Sequence, residues 1–389
     1  MREYVLVMLA AAAATYLSAG VWRRIAVRSG ALAKVRDRDV HLTPTPYLGG
    51  GAMLLGVVTA FLLATKLPWL GQHAVVTQDA RGILAAGAVI CVVGMVDDVI
   101  DLPALAKIFG QVLAAGVAVR YGIRMYWISL PHSIVALDPV VSTLVTVLFI
   151  FICVNAINLV DGLDGLSSGV VGIGASAMFS YTYFLAHVHN LVVATTASLV
   201  TVTIAGVCLG FLPHNYHPAT MFMGDSGSML LGLLLACSTL SFTGQMDATI
   251  IGTVATGAGS LPAYLPFILP IAIMFIPLLD SVMAYVRRTM RGDWWFKPDK
   301  QHLHHRLLNR GHSVRRAVLI MYWWTFVIAY GVMGIALLRT RWVWVATGLA
   351  LAVAVVVTFY PARPLRPPRG ESARVAPVVV AAGTPPVSG

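Results

Sequence analysis

Charge is what this chain has least of. Only 11% of its 389 residues are charged and 58% are hydrophobic, where a soluble domain carries roughly 25% charged residues. That scarcity excludes a set of soluble domains and leaves one integral membrane domain. Cysteine is also sparse. Cys91, Cys153, Cys208 and Cys237 fall inside apolar runs without paired spacing, so a cysteine metal centre is excluded and packing is their expected role. No internal repeat is evident, which removes support for an inverted-repeat transporter. Acidic residues number 16 against 27 Lys and Arg, for a net charge of +11. Most of that excess gathers on one side of the expected spans, so it points to anionic lipid and anionic substrates, not nucleic acid.

Runs of roughly 20 apolar residues cross a bilayer as helices. Eleven are expected: 3–22, 48–68, 82–99, 103–121, 139–157, 165–186, 190–212, 226–243, 262–286, 317–338 and 341–360. The fold class is therefore an all-α polytopic bundle. Arg2 ahead of the first run and small residues at its end resemble a signal peptide. Arg23, Arg24 and Arg28 behind it favour a retained span. Nineteen Lys and Arg fall on the side of the odd-to-even connections and seven on the other, which sets the N-terminus outside and the C-terminus in the cytoplasm. Residues 1–360 form the membrane domain. The Pro/Arg-rich segment 361–389 is expected to be a disordered cytoplasmic tail.

Five polar motifs share that cytoplasmic side, one of them DRDVHLTPTPYLGGG (37–51) between the first two spans. In GMVDDVIDLPALAK (94–107), Asp97, Asp98 and Asp101 would lie on one face of a helix end. Such carboxylates repel one another unless a cation or protons intervene, and hard oxygens beside water favour Mg²⁺ or Mn²⁺. A solvated turn capping the next helix is the plainer reading. Lys107, one turn beyond Pro103, either reaches the same place or snorkels to the interface. In NAINLVDGLDGL, Asn155, Asn158, Asp161 and Asp164 recur every third residue, with Gly162 and Gly165 leaving room for a flat ligand at the backbone. Asp225 in FMGDSGS is either an N-cap or a metal ligand. Phe222 either stacks on a base or sits in the interface belt. His302, His304 and His305 suggest zinc only weakly. With Arg306 they read equally well as donors to phosphate or sugar oxygens.

Taken in order, DDxxD, NxxNLxDGxDGL, GDSGS and HxHHR resemble the polyprenyl-phosphate N-acetylhexosamine-1-phosphate transferases over roughly residues 1–340. The resemblance implies transfer of a sugar 1-phosphate from a UDP-sugar to a membrane polyprenyl phosphate, undecaprenyl or decaprenyl, with release of UMP and a need for Mg²⁺ or Mn²⁺. It implies catalytic roles for Asp97, Asp98 and Lys107, and metal ligation by Asn158 and Asp225. Gly162 and Phe222 would sandwich the uracil, with Asp164 on its edge. Asp101, Asp161, His302, His304, His305 and Arg306 would contact phosphate or sugar, and His41 would stand on the lipid-phosphate side. HLHHR after PDKQ resembles the GlcNAc branch, while HLTPTPYLGG departs from the corresponding segment of the phospho-MurNAc-pentapeptide branch. The expected setting is the plasma membrane, with the active site facing the cytoplasm and a homodimer compatible.

Two other classes compete. An aspartate-rich intramembrane prenyltransferase needs a second DxxxD-like motif on the same side, and the later loops carry none. A transporter needs charges near mid-membrane, whereas these cluster at one face.

Overall fold

In hydrocarbon the backbone satisfies its own polar groups only in helices or closed barrels, and the apolar runs of this chain fold as helices. The computed structural model describes residues 1–33, 44–72, 74–130, 133–188, 191, 194–243, 268, 289–290, 312–338 and 340–360. Among these, ten α-helices follow one another: α1 (Arg2–Ser29), α2 (Gly49–Ala64), α3 (Ala74–Ile100), α4 (Ala104–Arg120), α5 (Pro139–Val160), α6 (Leu166–Val188), α7 (Ala194–Asn215), α8 (Gly224–Thr243), α9 (Val314–Leu338) and α10 (Arg341–Phe359). Eight are long and apolar enough to cross a membrane. The other two, α2 and α4, have 16 and 17 residues.

Ten of the eleven expected spans coincide with these helices. The remaining one, 262–286, lies outside the described residues apart from Ile268, as do the tail 361–389 and the connection 244–261. One element was not anticipated. Between α4 and α5 an antiparallel hairpin forms, β1 (Trp127–Leu130) with β2 (Ser133–Ala136), pairing Trp127 with Ala136. Asp138 then caps α5, accepting from the Val140 and Val141 N–H groups ahead of Pro139 in the first turn.

The core is arranged around α8. Every residue of that helix is buried except Asp225. A helix that is apolar all round belongs in a bundle interior, and α8 is enclosed by α2, α3, α5 and α7. The outer helices bury one stripe and expose the rest. In α1 the buried positions are Tyr4, Val7, Ala11, Thr15, Ala19 and Ala26, at helical spacing, while Leu6, Leu9 and Leu17 are exposed. Cys91, Cys153, Cys208 and Cys237 are buried and unpaired with one another, as expected of packing residues. α9 and α10 form a helical pair, and α9 packs against α6.

Candidate active site

The N-terminus of α8 is where the central helix meets its polar neighbours. Gly224 enters at φ 70°, a conformation open to glycine at little cost. A Cβ there would meet the Asp98 carboxylate at 2.4 Å. Asp98, from α3, receives the Asp225 N–H on Oδ1 at 2.7 Å, and on Oδ2 the Ser226 N–H at 3.3 Å and the Ser226 hydroxyl at 2.8 Å. It therefore caps α8 from a different helix, where a carboxylate also suits the positive end of the helix dipole. Close backbone approach makes this reach feasible. A Cβ on Gly94 would fall 2.4 Å from Ser226 Cα, and one on Gly50 of α2 would fall 2.3 Å from Ser226 C.

Thus clamped, Asp225 projects its carboxylate between α4 and α5. Lys107 Nζ pairs with Asp225 Oδ2 and, at 3.1 Å, with Asp97 Oδ2. Asn158 Nδ2 donates to Asp225 Oδ1 at 2.8 Å and to Ser228 Oγ at 2.9 Å. Asp97 Oδ1 accepts the Leu102 N–H at 2.8 Å, which closes the α3–α4 turn. Beneath this layer, Gln111 and Asn155 exchange hydrogen bonds of 2.7 and 3.4 Å.

A second layer surrounds the turn between α5 and α6. Asp161, half-buried at the end of α5, has its carboxyl pushed up to about 7 by burial, with the negative charges of Asp98 and Asp164 adding. Gly162 is exposed. Asp164, 3% exposed, accepts from His217 Nδ1 at 2.7 Å and from the Ala219 N–H at 3.1 Å. Gly165, at φ 75°, donates its N–H to Asn215 Oδ1, and its carbonyl accepts from the Tyr322 hydroxyl of α9. The half-buried Phe222 donates its N–H to the Pro46 carbonyl, and its ring lies 5.7 Å from that of Tyr47.

Several expectations change here. Asp97, Asp98 and Asp101 do not share one face. The helix stops at Ile100, and Asp101 follows at φ 53° with an exposed side chain, so helical spacing no longer governs it. Asp225 is not an N-cap; it lies inside the first turn, and Asp98 does the capping. Gly165 faces packed protein: a Cβ there would lie 3.3 Å from the Tyr322 hydroxyl, 3.5 Å from Leu212 and 3.6 Å from Tyr216. His41, His302, His304, His305 and Arg306 lie outside the described residues. Gln111, Tyr322 and His217 were missed. Gln111 had one available signal: it follows Lys107 by four residues, on the same helix face.

Do these groups suit a divalent cation? Asp97, Asp98, Asp161 and Asp225 gather with Lys107 as the ammonium paired to two of them. Among the described residues no three Asp, Glu, His or Cys side chains converge to cage an ion. The hard carboxylate oxygens of Asp97 and Asp225 are of the kind Mg²⁺ takes together with waters and phosphate oxygens. The donor set fits.

Comparison with known proteins adds an independent line. A family model described as glycosyl transferase family 4 matches residues 80–243, a range that contains the Asp97–Asp225 layer and the α5–α6 turn, with Pro46, Tyr47 and Tyr322 outside it. The decaprenyl-phosphate N-acetylglucosaminephosphotransferase of Mycobacterium tuberculosis is 44% identical over 366 residues, covering 93% of this chain and 89% of that protein. A probable undecaprenyl-phosphate N-acetylglucosaminyl 1-phosphate transferase of Bacillus subtilis is 32% identical, covering 83% and 82%. A phospho-N-acetylmuramoyl-pentapeptide-transferase of Desulforudis audaxviator is 27% identical, covering 78% and 87%.

Proposed function

Because this chain belongs to glycosyl transferase family 4, we propose that it transfers N-acetylglucosamine 1-phosphate from UDP-GlcNAc to a membrane polyprenyl phosphate, undecaprenyl or decaprenyl. The products are the polyprenyl diphosphate sugar and UMP. The observation that carries this reading is the convergence of Lys107 and Asn158 on Asp225, the one residue of α8 that is not buried, with Asp97 paired to the same Lys107 ammonium. The names and the higher identity of the GlcNAc-phosphate relatives support this donor over the muramoyl-pentapeptide donor.

In the reaction an oxygen of the lipid phosphate attacks the β-phosphorus of the nucleotide sugar. The bond from that phosphorus to the bridging oxygen breaks, and UMP leaves. Phosphoryl transfer of this kind rests on positioning and charge neutralisation. Lys107 supplies a fixed ammonium to the diphosphate. Asp97 holds Lys107, and Asp98 holds Asp225 through the backbone of α8. Asp225 and Asn158 would hold Mg²⁺ or Mn²⁺, which supplies neutralisation of phosphate charge. A phosphate monoester is already largely ionised near neutral pH, its second pKa being about 6, so removal of a proton by Asp97 is not required. Phe222 and Gly162 form the uridine side, with the buried Asp164 behind them holding His217 and the Ala219 N–H in place. Asp101, Asp161 and the His302–Arg306 segment meet phosphate and sugar, with His41 on the lipid-phosphate side. The excess of Lys and Arg supports a site that opens to the cytoplasm, at the plasma membrane.

The test is turnover by purified protein given decaprenyl phosphate, Mg²⁺ and a panel of UDP-sugars. UMP release with UDP-GlcNAc, abolished by EDTA, is the expected result. Turnover restricted to UDP-MurNAc-pentapeptide overturns the donor and keeps the chemistry. An inert, folded protein overturns both.

A further inference from the structure

Of the two amides below the charged layer, Asn155 opens the NAINLVDGLDGL motif and Gln111 belongs to none, and the placement of the pair is specific. Gln111 lies on α4 one turn beyond Lys107. Asn155 lies on α5 one turn before Asn158. Lys107 and Asn158 grip opposite oxygens of the same carboxylate, Lys107 on Asp225 Oδ2 and Asn158 on Oδ1. One turn further in, Asn155 Nδ2 donates to Gln111 Oε1 at 2.7 Å, and Gln111 Nε2 donates back to Asn155 Oδ1 at 3.4 Å. Asn155 Nδ2 also reaches the Phe151 carbonyl at 2.8 Å, which fixes its amide on α5. Gln111 Nε2 lies 3.3 Å from Met229 Sδ of α8. Gln111 is 2% exposed.

We propose that Gln111 and Asn155 are positioning residues that set the register of α4 against α5, so that Lys107 and Asn158 meet the two oxygens of Asp225. Two rungs join the helices: a charged one through Asp225, and a neutral one through the amides. The charged rung alone leaves α4 free to slide or turn, because a lysine side chain is long and its ammonium has no preferred direction. The amide rung removes that freedom, since two carboxamides exchange two bonds in one relative placement only. A buried amide also has a strong reason to hold its partner, having no water to fall back on. Neither residue touches substrate in this account. Both act through Lys107 and Asn158, and the inference rests on the reading of that layer as the catalytic centre.

The experiment compares kcat, KM for UDP-GlcNAc and melting temperature for wild type, Gln111→Leu, Asn155→Leu and the double leucine variant. Wild-type turnover is scored first. An inactive wild type sinks the functional reading, not this inference in particular. Asn155→Leu leaves the buried Gln111 amide without its partner, and Gln111→Leu leaves the half-buried Asn155 with the Phe151 carbonyl alone; both melting temperature and kcat are expected to fall, melting temperature more for Asn155→Leu. Removing both amides together is close to neutral for stability, so the double variant should regain its melting temperature. Its kcat should stay about 10- to 100-fold down, the cost of a small displacement at a reacting centre, with KM for UDP-GlcNAc unchanged. A double variant that regains melting temperature and kcat together makes the pair mere interior filling and overturns the proposal. So does a single variant with wild-type kcat. If the leucine pair does not regain its melting temperature, Gln111→Asn combined with Asn155→Gln decides. Recovery of kcat by the exchanged amides supports the register role, and a slow variant that melts as wild type contradicts it.

Discussion

Lys107 neutralises two carboxylates at once, and its removal leaves Asp97 and Asp225 facing each other without it. Lys107→Met is therefore expected to lower kcat by about 10²- to 10³-fold, the usual loss when one fixed charge donor leaves a reacting phosphate or oxyanion. Lys107→Arg should not rescue it, because the planar guanidinium cannot stand as a compact charge between Asp97 and Asp225. Steady-state rates at saturating UDP-GlcNAc and lipid check both. Asp161 carries a pH signature. Its carboxyl titrates at about 7 in the fold against an ordinary 3.8, so the folded chain keeps a proton that the unfolded chain has lost between those values. Its contribution to stability is full below the lower value and gone once the pH passes the higher. Asp161→Asn, which cannot ionise, should melt increasingly above wild type as pH is raised from 5 to 8 in metal-free buffer. A difference independent of pH contradicts the assignment. Asp97, Asn158 and Asp225 were legible as site residues because polar groups recurring in apolar sequence need a reason. Gln111 was not. A single glutamine in a helix has no pattern of its own, and its partner lies 44 residues away.

Among the elements, α8 sets the site because α2 and α3 hold its first turn at backbone distance. Gly94→Ala places a methyl group against Ser226 Cα, a main-chain atom that cannot rotate aside. It is expected to cost about 1–3 kcal/mol, the range for overpacking, and to reduce turnover because Asp225 moves with that turn. Thermal unfolding in detergent and the rate of UMP release are the paired readouts. Gly20, with open space around it, is the control: Gly20→Ala should change neither. Helices were the readable part of the fold, since long apolar runs leave little choice of structure. The Asp98 cap was hidden. It joins residues 127 apart, and the DDxxD spacing alone put all three aspartates on one helix face. The β1–β2 hairpin was overlooked because its four-residue strands sit between far stronger helical signals.

For the molecule as a whole, the consequence of the charge asymmetry is sidedness. The hairpin and the α7–α8 loop belong on opposite faces of the membrane in the proposed orientation. The natural cysteines are buried, so single added cysteines at exposed positions report cleanly. With intact cells, a membrane-impermeant maleimide should label Ala136→Cys on the hairpin and spare Thr220→Cys in the loop. The reverse pattern inverts the topology and places the Asp225 layer outside.

The central claim, that a lipid phosphate takes the sugar together with its phosphate at the Asp225 layer, is tested most directly by tracing one atom. Purified protein is given polyprenyl phosphate, Mg²⁺ and UDP-GlcNAc labelled at the β-phosphorus, and the lipid and nucleotide products are separated. The account predicts that the label enters the lipid product and that the UMP released is unlabelled. Label remaining in the nucleotide as UDP, with sugar alone on the lipid, would contradict it.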